Sequence, residues 1–80
     1  MLNRAFSEVL KRLRRNKGFS QERFGFKAGL HRTYVSQLER GLKSPSLETL
    51  SRISRVLGID ISETMKLVES ELKRSKTERR

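Results

Sequence analysis

The chain has 80 residues, with 19 Lys plus Arg against 9 Asp plus Glu and a formal net charge of +10. A chain of this length makes one domain and buries only about 60% of the surface its unfolded form exposes, so a large catalytic cleft is not expected. With no cysteine and no apolar run longer than two residues, disulfide scaffolds, thiolate metal sites, thiol nucleophiles and a membrane-spanning helix are excluded, and the chain reads as cytoplasmic.

Phe6, Val9, Leu10 and Leu13 fall at i, i+3, i+4 and i+7, which predicts an amphipathic helix from Leu2 to Asn16, ended by Gly18. Behind that stripe, Lys11, Arg12, Arg15 and Lys17 make a cationic rear face and end, suited to the negative pole of the helix dipole. Ser20 is the expected N-cap of a short helix from Gln21 to Lys27, stopped by Gly29. A second short helix is expected over His31 to Arg40, with Val35 and Leu38 inward, Arg32, Thr33, Ser36 and Gln37 outward, and a stop at Gly41.

After a loop from Leu42 to Pro45, Ser46 caps a helix in which Leu47, Leu50, Ile53, Val56 and Leu57 form one inward stripe ending at Gly58. Ser62, followed by Glu63, starts the last helix. There Met65, Val68 and Leu72 continue from Ile61 at spacings of four, three and four, a pattern that serves either a core face or a seam with a second copy. Residues 73–80 hold no apolar side chain to offset their ordering entropy, so a mobile basic tail is expected there and the folded domain is expected to span residues 1–72. No alternating run of strand length occurs. The expected architecture is all-α, with five helices.

The charge is segregated along this layout. Met1 to Lys43 carries 11 basic and 3 acidic residues, Ser44 to Leu72 carries 3 and 5, and Lys73 to Arg80 carries 5 and 1. Two short helices joined by a glycine turn in the most basic part of a small chain are the arrangement that lets one helix enter the major groove while the other crosses the backbone. Gly25 lies inside the first of these helices, where a larger side chain would hold the second away. That packing role explains a residue that costs about 1 kcal/mol relative to alanine in a helix.

The residues that carry this reading are Ser20-Gln21-Glu22-Arg23-Phe24-Gly25, then Ala28 through Gly41, then Pro45-Ser46-Leu47-Glu48-Thr49-Leu50. With Leu10, Leu13 and Arg14 before them and Leu57-Gly58-Ile59 after, the stretch resembles the helix-turn-helix family of the lambdoid phage repressors and Cro proteins, the xenobiotic-response-element family. The resemblance covers about Phe6 to Leu67 and implies a compact lambda-repressor-like fold that binds double-stranded DNA. It implies that Arg32, Thr33, Ser36 and Gln37 face base edges. Their chemistry suits the role, since Arg32 can pair with guanine O6 and N7, Gln37 with adenine N6 and N7, and Thr33 with the thymine methyl.

By the same resemblance, Gln21 hydrogen-bonds a phosphate at a positive helix N-terminus, and Tyr34, Arg40, Lys43 and Ser44 are further phosphate contacts that set register. Arg14 and Glu39 match an arginine and glutamate that pair across the helices of such repressors, a structural role. His31, the only histidine, stands at the cap of the recognition helix, where the family usually has Ser, Thr, Asn or Asp; it is either a phosphate contact or a plain surface residue. No metal site or cofactor is expected.

One recognition helix reads only a few base pairs, so a two-fold homodimer spanning half-sites about 34 Å apart is expected. Ile61, Met65, Val68 and Leu72 are the candidate interface, with closure of the monomer core as their alternative use. The Arg-Thr-Tyr-Val run in a compact single domain resembles the controller proteins of restriction-modification operons, and the resemblance implies binding to an operator or promoter, with RNA polymerase a candidate further partner. The alternative is an antitoxin or adaptor module that uses this fold to hold another protein. A membrane-surface helix is excluded because no helix joins a broad apolar face to a lysine-rich one. Nor is an enzyme expected, since Ser, Asp and Glu occur without a partner base or metal spacing.

Overall fold

A computed structural model describes residues 1–78, with side chains described through Ser75. Its helices are α1 (Leu2–Asn16), α2 (Gln21–Ala28), α3 (Arg32–Glu39), α4 (Leu47–Leu57) and α5 (Ile61–Glu78). There is no strand among the described residues. The first four helices lie within two residues of their expected bounds, and α5 begins at Ile61, one residue before Ser62. Ser20 and Ser46 cap α2 and α4 by accepting the Arg23 and Thr49 amide protons.

The core is one cluster shared by every helix. Phe6, Val9 and Leu10 of α1 meet Phe24 of α2, Val35 and Leu38 of α3, Leu50, Ile53 and Leu57 of α4 and Val68 of α5. α1 packs along α5 on one side and against α3 on the other. Between α4 and α5, Ser54 and Thr64 share a buried hydroxyl hydrogen bond of 2.8 Å, so the polar pair is satisfied.

The turn between α2 and α3 depends on two glycines. Gly29 takes φ +71°, the left-handed conformation that ends α2. Gly25 faces the returning chain so closely that a Cβ there would lie 2.6 Å from the Leu30 carbonyl oxygen and 3.3 Å from Val35 Cγ2. The close approach of α3 to α2 therefore requires hydrogen at this position.

Three expectations are corrected. Helix α5 continues through Lys73–Glu78, where a mobile tail was expected; Arg79 and Arg80 lie outside the described residues. The continuation has a physical basis in Glu71, whose carboxylate is 7% exposed and is held by Arg12 of α1 at 3.4 Å and by Arg74, one turn further on, at 2.6 Å. Charged pairing supports this segment where apolar burial does not. Second, Val68 is fully buried in the core and is not offered to a partner, while Leu72 is half-buried and lines a depression with Met1, Arg4 and Ala5 of α1. Third, Leu47, expected to point inward, is 83% exposed, because the first residue of α4 stands at the rim and Leu50 is the first to reach the core.

The hydrogen bond from Arg74, joined by that from Arg12, holds the Glu71 carboxyl below its ordinary value against the opposing effect of burial. A carboxylate with a lowered folded-state pKa stabilises the fold above its unfolded pKa and loses that contribution as pH falls. Glu71→Gln should therefore lower the melting temperature at neutral pH and narrow its gap from wild type as pH drops below about 4.5. Circular dichroism melts from pH 7 to pH 2 read this directly, and a constant gap across the range would contradict it.

Candidate nucleic-acid interface

α3 is positioned by its two inward residues, Val35 and Leu38, both at 0% exposure. Burying that face turns Arg32, Thr33, Ser36 and Gln37 to the other side. Arg32 and Thr33 are exposed, while Ser36 and Gln37 are half-exposed. Among the described residues none of these four side chains makes an internal hydrogen bond or ion pair. Their donors and acceptors remain available to a ligand.

His31 caps this helix. Its backbone is extended, at φ −68° and ψ 144°, and its Nδ1 accepts the Thr33 amide proton at 3.0 Å. A ring nitrogen thus stands in for the usual hydroxyl or carboxamide acceptor. Sequence reasoning placed His31 at the cap but attached no bond to it.

Behind α3 lies a buried polar junction. The Arg14 guanidinium donates to both Glu39 oxygens, through Nη2 to Oε1 at 2.9 Å and through Nε to Oε2, and through Nη1 to the Phe19 carbonyl. Gln21 Nε2 donates to the same Glu39 Oε1 at 3.1 Å. Arg14 is 7% exposed and Glu39 4% exposed. The hydrogen bonds to Glu39 raise the Arg14 pKa above its ordinary value despite desolvation. One carboxylate therefore joins α1, α2 and α3, and it orients Gln21 while leaving the second amide hydrogen of that residue for another acceptor.

The remaining candidates are spread around this end of the molecule. Arg40 and Lys43 are exposed, at and just beyond the end of α3. Tyr34 is half-buried, packed against the core. Ser44 is exposed, but its hydroxyl donates to Asn3 Oδ1, so its proton ties the loop to α1. Arg52 of α4 pairs with Glu48 at 3.4 Å and reaches the Gly29 carbonyl at 3.5 Å, bracing the turn from behind.

Residues 10–64 match the family described as helix-turn-helix. The chain belongs to that family. Among its helix-turn-helix relatives, the control protein C.MunI of Mycoplasma sp. is 43% identical over 67 residues, covering 82% of this chain and 90% of the relative. The control protein C.BamHI of Bacillus amyloliquefaciens is 40% identical over 55 residues, covering 68% of each chain. Among solved structures, the restriction-modification controller protein C.AhdI from Aeromonas hydrophila aligns with a TM-score of 0.75 at 37% identity, covering 78% of this chain and 94% of that one. The wild-type restriction-modification controller protein C.Esp1396I aligns with a TM-score of 0.84 at 28% identity, covering 92% and 96%. This is a family of DNA-binding transcription regulators.

Sequence reasoning offered Ile61 and Met65 as an interface but did not recognise Leu2 and Leu47 as exposed apolar residues beside them. Leu2 (53% exposed), Leu47 (83%) and Ile61 (43%) stand in solvent, and Leu2, Pro45, Leu47 and Met65 line one groove. The signal was present in the isolated Leu after the Ser46 cap, but helical spacing alone cannot distinguish a rim from a core position. No helix among the described residues is long and apolar enough to cross a membrane.

Proposed function

We propose that this chain is a dimeric, cytoplasmic transcriptional regulator that reads an inverted-repeat operator through the major groove, acting as an autoregulatory controller or repressor. The observation that carries it is the outward face of α3, where Arg32, Thr33, Ser36 and Gln37 stand together with no side-chain partner among the described residues. Uncommitted donors and acceptors on a rigid helix are what base-edge recognition needs. Gln21, Tyr34, Arg40 and Lys43 hold phosphates and set register, with Ser44 fixing the loop between them. RNA polymerase at the same promoter is a further partner on this reading. The role is binding rather than catalysis.

Selection from random duplexes tests it. A short inverted repeat should emerge, bound with an affinity that falls steeply as salt rises, because each neutralised phosphate releases counterions. Recovery of no motif, with binding that ignores sequence, would remove this function and leave the interaction-module alternative.

The second copy docks through the groove lined by Leu2, Leu47 and Met65, with the exposed Ile61 as a further apolar contact, since an apolar patch that the monomer leaves open is the surface a symmetric partner would cover. Leu47→Asp should convert the dimer to a monomer in sedimentation while leaving the helical content unchanged. It should also weaken operator binding by more than tenfold, since each half-site is then held alone. A variant that stays dimeric would move the interface elsewhere.

A further inference from the structure

One face of α1 is used neither by the core nor by the reading surface. Arg4, Glu8, Lys11 and Arg15 succeed one another at spacings of four, three and four, so they leave the helix on one side. That side adjoins the end of α3. A Cβ placed on Gly41 would sit 3.8 Å from the Arg4 Cα and 3.8 Å from the Ser7 hydroxyl. Between the two helices runs a shallow groove lined by Arg4, Ser7, Glu8, Lys11, Glu39 and Arg40.

The charges in this groove are unequal in their commitments. Glu39 is spent on Arg14 and Gln21. Among the described residues, the side chains of Arg4, Lys11 and Arg40 have no ion-pair or hydrogen-bond partner, whereas Arg12, Arg14, Arg52 and Arg74 each hold a carboxylate. Three uncommitted cations thus face one uncommitted carboxylate, Glu8, and the groove is electropositive. Through Glu39 it is continuous with Gln21 at the start of α2. Arg4 and Lys11 are seven residues apart, about 10 Å along the helix axis, so the two can meet different phosphates of one strand.

We infer that the groove between α1 and the end of α3 seats a run of DNA backbone phosphates beyond those met at the start of α2, through Arg4, Lys11 and Arg40. The inference rests on the DNA-reading function proposed above. It extends the grip of the protein past the base pairs that α3 touches, and its contribution is independent of sequence. Glu8 opposes it, so the groove holds a built-in brake on affinity.

The test uses the selected operator in two lengths, one ending at the outer edge of each half-site and one longer by about eight base pairs at each end. Wild type should bind the longer duplex more tightly and with a steeper salt dependence. The double variant Arg4→Ala/Lys11→Ala, which touches one exposed and one half-buried side chain of α1, should melt close to wild type and bind the two lengths alike, with the slope of log affinity against log salt reduced by about four on the longer duplex, two contacts from each subunit. Glu8→Gln should bind the longer duplex more tightly than wild type does. A double variant with the wild-type slope, or a wild type indifferent to duplex length, overturns the inference while the operator reading stands. A wild type that selects no sequence overturns both.

Discussion

Replacing Glu39 with alanine should cost the fold about 3–5 kcal/mol, the range found when one member of a buried ion pair is removed. Arg14 would remain 7% exposed with a full positive charge and one backbone carbonyl for company, and Gln21 would lose its anchor. For a domain of this size each kcal/mol moves the melting temperature by roughly 4–8 °C, so a fall on the order of 20 °C is expected. Glu22 is exposed at the first turn of α2, and its alanine variant should stay within about 0.5 kcal/mol of wild type. Thermal melts of the two variants side by side decide the matter. Equal melting temperatures would mean that the junction contributes nothing net to stability. Glu39→Gln should fall between them, because an amide keeps one acceptor for Arg14 and forfeits the charge.

The second large effect is on recognition. Arg32→Ala should leave the melting temperature unchanged, since its side chain is exposed and bonds to none of the described residues. It should cost about 1–3 kcal/mol of discrimination at one base pair in each half-site, roughly 5- to 150-fold per half-site. Binding titrations against the selected operator and against single-position variants separate this from a general loss. Lys43→Ala, by comparison, should weaken all sequences alike and lower the salt slope of the dimer by about two, one contact from each subunit. An Arg32→Ala protein that keeps both affinity and motif would show that base reading lies elsewhere on α3.

The sequence carried the helices and their order because each boundary has local chemistry. Ser20 and Ser46 accept amide protons, Gly29 takes a positive φ, and the apolar spacing of Phe6, Val9 and Leu10 is that of a buried stripe. The outward residues of α3 were legible for the same reason, since burying Val35 and Leu38 leaves Arg32, Thr33, Ser36 and Gln37 only one side to occupy. Local chemistry fails where two packings satisfy one period. The spacing of Ile61, Met65, Val68 and Leu72 fits a seam or a core equally, and only the packing of α1 along α5 commits Val68 inward. The same holds for the end of α5. Lys73 and the residues after it offer nothing apolar, and of the two ion pairs of Glu71 the one with Arg12 depends on a neighbour 59 positions away, while the one with Arg74 is local.

Three helices share one carboxylate at Glu39, so the surface that α2 and α3 offer is set before any ligand arrives. Preorganisation of this kind lowers the entropy lost on association. It also assigns the work of adjustment to the other molecule. If the protein cannot flex to follow the groove, then in the dimer proposed above the duplex must bend or change its groove width to meet both copies of α3 at once, and the energy of doing so depends on base steps that no side chain touches. Operators differing only in their central, uncontacted base pairs should then differ in affinity according to their stiffness.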